Sequence, residues 1–358
     1  MTVRIVQWAT GAVGSAQLQE VIDRPDLELV GLFVFSPEKV GVDAGALVGR
    51  PSTGVLATND KAAILALDVD VVLHAASKGF PDNTNTEDIV ALLASGKDVI
   101  TTTSYNHLAT YGADAHAAIT QACSTGGSRF HAAGEHPGFM FERLAASVTA
   151  LSQRIDRITV QELVDVSAVS KREMLVDLMG MGKPPAEISV ESPMFRSVSI
   201  QYEQSLAVTA DVLGVTLDKI RRDIRTATLP HDVEVACGVL PAGTVVAQAL
   251  VWTGYVAGKP LLVAEELWLA SREVPGWDLD FEGGFLVRVD VEGMPALKVE
   301  LTIGRELVPG LEGVAAGQLA VGMTAVRAIP YVRDAPVGVV TPTIFGAYRF
   351  SAGPAGSR

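Results

Sequence analysis

The sequence predicts an α/β fold: an N-terminal doubly wound parallel sheet followed by a C-terminal α+β domain with a mainly antiparallel sheet. Up to about residue 150, apolar strand-like runs alternate with amphipathic helices, which is typical of a parallel sheet covered on both faces. After about residue 155, apolar and polar residues alternate between turn signals, as they do in antiparallel hairpins. The 358 residues are 48% hydrophobic, which is enough for two cores.

Five strands and four helices are predicted in the first domain. The strands are short runs rich in branched apolar residues: Val3–Trp8, Leu27–Phe35, Asp70–Ala76, Asp98–Thr102 and Arg129–Ala133. The helices have apolar residues at three- and four-residue spacing: roughly 13–23, 60–66, 86–95 and 112–124. Ligands of such sheets bind at the carboxyl ends of the strands, so the functional residues are expected just after each strand.

The second domain is predicted over residues 151–316, after a first domain over 1–150. Its strands are Ile158–Val166 and the runs 232–240, 245–257, 261–271, 285–292 and 296–303, with helices at about 198–213 and 216–222. A helix at about 317–329, ended by Pro330, and a tail over 330–350 are expected to complete the first domain. Residues 351–358 are small and polar, which predicts a disordered end.

The turn after the first strand carries the clearest functional signal. Ala9-Thr10-Gly11-Ala12-Val13-Gly14 matches the dinucleotide-binding pattern G-x-G-x-x-G, except that Ala9 replaces the first glycine. Gly11 would let the backbone approach a pyrophosphate, and Gly14 would let the helix pack closely on the strand. We therefore predict a Rossmann domain that holds the pyrophosphate at Thr10–Gly14, on the helix N-terminus. The alternative is an ordinary strand–turn–helix with incidental glycines.

The end of the second strand bears on the choice of cofactor. NAD sites usually place an acidic residue there to hold the ribose 2′-hydroxyl. Here the strand ends in Phe35-Ser36, and Lys39 follows, which suits a 2′-phosphate better, although Glu38 counters this interpretation. We expect NADP(H), with NAD(H) as the alternative.

Three further strand ends are expected to converge on the nicotinamide. Small or hydroxyl-bearing residues that let a ribose or amide approach follow two of them: Ala75, Ala76, Ser77, Thr101 and Thr102. Glu135 follows the last strand, where a carboxylate in a half-apolar cleft can exchange protons near neutral pH. His136 titrates in the same range, and Tyr105 and Asn106 are expected to assist. The alternative is that His136 only builds a turn and Glu135 caps the next helix.

A methionine-rich segment over residues 171–182 opens the second domain. Met174 and Met179, with Tyr105 and Phe139, are predicted to line an apolar substrate pocket. The alternative is that this stripe belongs to the core or to an interface.

Several function classes are disfavoured by the sequence. The formal charge of −13 opposes binding to nucleic acid or to an anionic membrane surface, and no apolar run is long enough to span a bilayer. No histidine or cysteine spacing predicts a metal site, and neither a nucleophile elbow nor a P-loop is present. Two distant cysteines and the lack of a signal peptide lead us to expect a cytoplasmic protein with free thiols.

Several motifs occur together in order: V-Q-W-A-T-G-A-V-G at 6–14, V-G-V-D-A-G-A-L-V-G at 40–49, T-T-T at 101–103, G-E-H-P-G-F at 134–139 and A-I-P at 328–330. With them the chain resembles the dihydrodipicolinate-reductase-like oxidoreductases. The similarity is to the branch that contains 2,4-diaminopentanoate dehydrogenase and the NAD(P)H-dependent amine dehydrogenases. It implies a homodimer with a Rossmann domain and a substrate domain. It also implies reductive amination of a small, largely apolar ketone or aldehyde with ammonia, or the reverse deamination.

The sequence departs from this family at two places. The His-His pair, lysine and S-G-T stretch of the reductases are missing, so lysine biosynthesis is not supported. The glutamate that the amine dehydrogenases carry after the Thr-Thr strand end is replaced by the stretch 104–107, Ser-Tyr-Asn-His. Glu135 is the candidate to take over its role. An NADPH-dependent carbonyl or cyclic-imine reductase and a non-catalytic NADP(H)-binding sensor are the alternatives.

Overall fold

The computed structural model describes residues 2–76, 85–277, 280–304, 308–341 and 343–350. The chain divides into two compact units, which we treat separately. Unit 1 comprises Met1–Phe139 and Arg305–Pro342, and unit 2 comprises Met140–Gly304 and Thr343–Arg358. The predicted disordered end over 351–358 lies outside the described residues, as does Ser77.

A seven-stranded parallel sheet forms the centre of unit 1. Its strands are β1 (Val3–Trp8), β2 (Leu27–Phe33), β3 (Ala57–Thr58), β4 (Val71–His74), β5 (Asp98–Thr101), β6 (Arg129–Ala132) and β15 (Gly338–Val339). The spatial order is β3-β2-β1-β4-β5-β6-β15, with every pair parallel. The strand order reverses at β1, which is the topology of a doubly wound Rossmann fold. The predicted fold class is confirmed.

Helices cover both faces of this sheet. They are α1 (Ala12–Asp23), α2 (Lys61–Ala66), α3 (Asn85–Ala94), α4 (Leu108–Tyr111), α5 (Ala113–Gly126) and α8 (Ala316–Asp334), with 3₁₀ turns at Pro37–Lys39 and Ala46–Val48. Successive strand residues enter opposite cores: Val6 packs in the cluster that contains residues of α2, α3 and α5, whereas Ile5 packs with α1 and α8. This alternation buries both faces and explains the near-continuous apolar strands.

Helix α8 runs past the proline that was predicted to end it. The helix reaches Asp334 and contains Pro330 in its interior, so the predicted stop is wrong. A proline removes one helical hydrogen bond, but Val332 beyond it is 1% exposed and packs in the same core as Ile329. Burial of this apolar face therefore outweighs the local cost of the proline.

Unit 2 is built on a six-stranded mixed sheet. The strands of the unit are β7 (Arg154–Asp165), β8 (Lys219–Thr228), β9 (Val233–Val235), β10 (Gly238–Leu240), β11 (Val245–Val256), β12 (Lys259–Leu269), β13 (Phe285–Met294) and β14 (Leu297–Ile303). The order is β14-β13-β7-β12-β11-β8, and only the β7–β12 pair is parallel, while β9 and β10 form a separate hairpin. The predicted mainly antiparallel domain is confirmed.

The helical segments of unit 2 are α6 (Ala146–Val148), α7 (Pro193–Leu213), π-helical turns at Met140–Ala145 and Glu173–Leu178, and 3₁₀ turns at Thr149–Leu151 and Pro185–Glu187. The predicted helix over 216–222 is wrong, because β8 occupies most of this range and pairs with β11. Ile220 and Ile224 lie four residues apart, a spacing that puts them on one face of either a helix or a strand. The long neighbouring strand decides between the two.

Among the described residues, none of the helices combines the length and apolar character needed to cross a membrane. The same residues contain no group of three or more histidine, cysteine or acidic side chains that could hold a metal ion.

The loop between β2 and β3 is organised around the carboxylate of Asp43. This carboxylate accepts hydrogen bonds from the amides of Gly45 (2.8 Å), Thr53 (3.1 Å) and Gly54 (2.8 Å), and from the Ser52 hydroxyl (2.9 Å). These donors, the Thr53 amide first, lower the pKa of Asp43 to about 2. Hydrogen bonds to the charged form thus hold together the loop that carries the V-G-V-D-A-G motif.

We expect Asp43→Asn to lower the melting temperature at pH 7, because the charged acceptor is lost. The folded-state pKa lies below the unfolded value of about 3.9, so the stabilisation is present above about pH 4 and is lost as the pH falls towards 2. The difference in melting temperature between wild type and variant should therefore narrow in scanning calorimetry from pH 7 to pH 3. A constant difference over that range would contradict this assignment.

Candidate active site

The turn between β1 and α1 is shaped by a close approach of two backbone segments. A Cβ atom added at Gly14 would lie 2.2 Å from the carbonyl oxygen of Ala9, so only glycine fits there. Ala9 itself adopts φ 76°, the left-handed conformation in which glycine is usual. The buried Gln7 amide donates hydrogen bonds to the Ala9 oxygen (3.0 Å) and to Gln17 Oε1 (3.1 Å). These contacts fix the turn.

Gly11 is the N-cap of α1, and none of the described side chains caps this helix end. A Cβ atom added at Gly11 would meet no described atom within 4 Å. The amide hydrogens of the first turn, which include those of Ala12 and Val13, therefore remain accessible to an anion at the positive end of the helix dipole. These features fit the diphosphate of a nicotinamide dinucleotide.

Lys39 lies beside this turn. Its Nζ donates hydrogen bonds to the carbonyl oxygen of Thr10 (2.9 Å) and to Thr10 Oγ1 (3.1 Å). Ser36 is the N-cap of the 3₁₀ turn that carries Lys39, whereas Glu38 is exposed. The structure thus brings Lys39 to the glycine turn although the two are 29 residues apart.

Backbone hydrogen bonds align the other strand ends in one row. The amide of Ala75 donates to Trp8 (2.9 Å), that of Thr102 to His74 (3.0 Å) and that of Ala133 to Thr101 (2.8 Å). Ala76 and Thr101 are buried, while Ala75 and Thr102 are half-buried. The small residues predicted to face the cofactor therefore lie along the carboxyl edge of the sheet; contact with the cofactor stays a prediction.

The turn after β6 carries Glu135, His136 and Phe139. Glu135 is 8% exposed, and its carbonyl oxygen accepts a hydrogen bond from the Phe139 amide (3.0 Å). Asn106 packs against this turn: its Nδ2 donates to the carbonyl oxygen of Ala132 (3.2 Å), and a Cβ atom added at Gly138 would lie 3.1 Å from the same Nδ2. Asn106 and the Glu135 turn therefore come together from two neighbouring strand ends, and their part in one site stays a prediction.

Tyr105 lies inside the core of unit 1. Its ring is 1% exposed and stacks on Tyr111 at 4.3 Å, and its hydroxyl lies 2.8 Å from Thr86 Oγ1 and 3.3 Å from the Tyr111 hydroxyl. Burial raises the pKa of Tyr105 well above its ordinary value. The hydroxyl is thus engaged within the core, and its predicted part in proton transfer and in the pocket stays a prediction.

The two predicted methionines of the substrate pocket belong to unit 2. Met179 is 9% exposed and lines a cavity of that unit, whereas Met174 is 42% exposed. Phe139 belongs to unit 1 and is half-buried.

The sequence did not single out Gln7 and His74 as residues of the site. Burial lowers the pKa of His74 to about 3, so the ring is neutral, and its Nδ1 lies 2.9 Å from Thr101 Oγ1. Thr101 Oγ1 lies 2.7 Å from Thr103 Oγ1. The hydrogen bonds from His74 through Thr101 to Thr103 thus fix the strand end that carries the Thr-Thr pair. In the sequence, Gln7 and His74 stand out only as polar residues inside apolar strands. Gln7 lies in β1 two positions before Ala9, and His74 is the last residue of β4.

Comparison with known proteins decides the family. No family model matches the sequence. A curated amine dehydrogenase from Streptomyces virginiae is 31% identical over an alignment of 350 residues that covers 93% of each chain. The chain belongs to the amine dehydrogenase family. The predicted branch of NAD(P)-dependent oxidoreductases is thereby confirmed.

Solved structures support the fold of this family member. Amine dehydrogenase from Mycobacterium smegmatis has a TM-score of 0.72 at 20% identity, covering 96% of this chain and 97% of that one. An oxidoreductase from Sinorhizobium meliloti has a TM-score of 0.50 at 16% identity, covering 97% and 93%. At these identities the two structures show the shared architecture alone.

The two glycines of the turn allow a test that separates binding from folding. Gly11→Ala should leave the melting temperature nearly unchanged, because the methyl group meets open space, yet should weaken NADPH binding about tenfold or more by blocking the pyrophosphate. Gly14→Ala should lower both the melting temperature and the affinity for NADPH, because its Cβ collides with the Ala9 backbone. Calorimetric titration and thermal melts measure the two effects. Full NADPH affinity in Gly11→Ala would place the diphosphate elsewhere.

Proposed function

We propose that this protein is an NADPH-dependent amine dehydrogenase that reductively aminates a small apolar ketone or aldehyde with ammonia. The observation that carries the proposal is the turn at Ala9–Gly14, which offers bare helix amides to a diphosphate and has Lys39 beside it. Family membership supplies the reaction class. NADPH, when bound, supplies the hydride.

The residues at the strand ends have separate roles in the proposed reaction. The glycine turn binds and orients the cofactor, and Ala75, Ala76 and Thr102 leave room for the nicotinamide half. The Glu135 carboxylate takes a proton from the ammonia that attacks the carbonyl carbon and passes it to the carbonyl oxygen, which gives a carbinolamine. It then takes a second proton from the same nitrogen and passes it to the hydroxyl group, which leaves as water and gives the imine. Asn106 fixes the turn that carries Glu135, and His136 lies next to it in the chain. Glu135 thereby replaces the glutamate that the family places after the Thr-Thr strand end.

We further propose a preference for NADPH over NADH, with Lys39 and Ser36 meeting the 2′-phosphate. The Lys39 ammonium donates hydrogen bonds to Thr10 at the edge of the turn, so it lies within reach of a phosphate bound there. A homodimer is proposed on the family resemblance, and a cytoplasmic location on the two distant cysteines.

Lys39→Ala should raise the KM for NADPH about 10- to 100-fold, because a charge-assisted hydrogen bond contributes about 1.5–3 kcal/mol. The KM for NADH should change little. Lys259→Ala, at an exposed hairpin turn, is the matched control and should leave both constants unaltered. Equal losses with the two nucleotides would show that Lys39 does not recognise the 2′-phosphate.

The activity itself is tested by following NADPH oxidation with a series of ketones, with and without ammonia. We expect turnover that requires ammonia, and a 10²- to 10⁴-fold lower kcat in Glu135→Gln with unchanged NADPH affinity, since a general acid–base group contributes about that much. The exposed Glu28→Gln serves as control. Turnover without ammonia would identify a carbonyl reductase, and tight NADPH binding without any turnover would favour a sensor.

A further inference from the structure

A chain of hydrogen bonds in unit 1 starts at a buried histidine and ends at the carboxyl edge of the sheet. His74, the last residue of β4, is completely buried, and its Nδ1 lies 2.9 Å from Thr101 Oγ1. Thr101 Oγ1 lies 2.7 Å from Thr103 Oγ1 and accepts a hydrogen bond from the Thr103 amide (3.2 Å). Neither His74 nor Thr103 takes part in the proton transfers assigned to Glu135.

The protonation of the His74 ring decides in which direction the protons of this chain point. Burial lowers the pKa of His74 to about 3, so at neutral pH the ring carries one proton, on Nδ1 or on Nε2. Its Nε2 has no hydrogen-bond partner among the described residues. A buried N–H group without a partner is rarer in proteins than an unpaired acceptor. The proton therefore belongs on Nδ1.

The position of this proton determines the direction of the two hydroxyl groups. A hydroxyl group has one proton and two lone pairs. The Nδ1–H group and the Thr103 amide together use both lone pairs of Thr101 Oγ1, so the Thr101 proton is donated to Thr103 Oγ1. The proton of Thr103 then remains for an acceptor outside the chain. The other tautomer of His74 would reverse both hydroxyl groups and leave Thr103 as an acceptor only.

Thr103 lies where ligands of doubly wound sheets bind. It follows the end of β5 by two residues and is next to Thr102, whose amide is bonded to the end of β4. Ser104 adopts φ 62°, a left-handed conformation that is uncommon for residues with a side chain and clusters at functional sites. Thr103 is 6% exposed, so a hydrogen bond made by its hydroxyl group is shielded from water.

We propose that His74 is a positioning residue that directs the Thr103 hydroxyl proton to the carboxamide oxygen of the nicotinamide ring. The oxygen of a carboxamide accepts hydrogen bonds, whereas its nitrogen donates them. A Thr103 hydroxyl group that is held as a donor selects the oxygen and so favours one of the two orientations of the carboxamide. The inference rests on the proposed function, since it requires a nicotinamide at this edge of the sheet.

The tautomer is tested on the wild type, without any substitution. In NMR spectra of protein labelled with nitrogen-15 in its histidine rings, protonated and bare ring nitrogens have well-separated chemical shifts. The signals of His74 are those that are missing from the spectrum of His74→Asn. We expect the proton on Nδ1 both without and with NADP+. A proton on Nε2 in either sample would overturn the proposal.

Calorimetric titration tests the hydroxyl group of Thr103. Thr103→Val should weaken the binding of NADP+ about three- to tenfold, which is the usual net effect of one hydrogen bond. The affinity for 2′-phospho-ADP-ribose, which lacks the nicotinamide, should not change. Thr125→Val, at an exposed position of α5, is the matched control and should bind both ligands like the wild type.

A nucleotide analogue distinguishes a donor from an acceptor at Thr103. The 3-acetylpyridine analogue of NADP+ keeps the carbonyl oxygen of the carboxamide and lacks its nitrogen. The loss of affinity in Thr103→Val should therefore be equally large with this analogue. A loss that is seen with NADP+ and absent with the analogue would show that Thr103 accepts from the carboxamide nitrogen, which would overturn the proposal.

His74 should affect binding only through Thr103. His74→Leu should weaken NADP+ binding as much as Thr103→Val does, and the double variant should lose no more than either single variant. His74→Asn, whose side-chain amide can donate to Thr101, should keep most of the affinity. Thermal melts identify the variants that are folded. Equal losses for NADP+ and 2′-phospho-ADP-ribose in a folded His74→Leu would show a merely structural role and overturn the proposal.

Binding and turnover separate this inference from the proposed function. A wild type that shows the expected binding pattern but oxidises no NADPH with ketone and ammonia would refute the amine dehydrogenase and leave the role of His74 intact. Full NADP+ affinity in Thr103→Val, in a protein with ammonia-dependent turnover, would overturn the inference alone. A wild type that does not bind NADP+ would overturn both.

Discussion

The first turn of unit 1 depends on the close approach of Gly14 to the carbonyl oxygen of Ala9, where a single methyl group would not fit. This contact allows α1 to begin directly at the end of β1. It also forces Ala9 into a left-handed conformation, which Gln7 stabilises from inside the core. The accessible helix terminus at Gly11 and the position of Lys39 beside Thr10 both depend on this approach.

The groups of the proposed mechanism lie on unit 1. Unit 1 provides a row of strand ends whose backbone positions are fixed by the sheet, and the loops that carry Asn106 and Glu135 follow two of these strands.

The sequence was most informative where local pattern and tertiary packing agree. β1 was predicted to the residue, and the glycine turn followed from its spacing. β8 was missed because isoleucines four residues apart suit a helix and a strand equally, and α8 passes Pro330 because packing of Val332 decides its length. The engagement of Tyr105 with Thr86 and the reach of Lys39 to Thr10 depend on contacts distant in sequence, which no local pattern encodes.

The central claim is that a dinucleotide binds on the backbone amides at the start of α1. Hydrogen–deuterium exchange with and without saturating NADPH measures this directly. The account predicts that the peptide spanning residues 9–16 exchanges more slowly when NADPH is bound. Binding of NADPH with unchanged exchange in that peptide would contradict it.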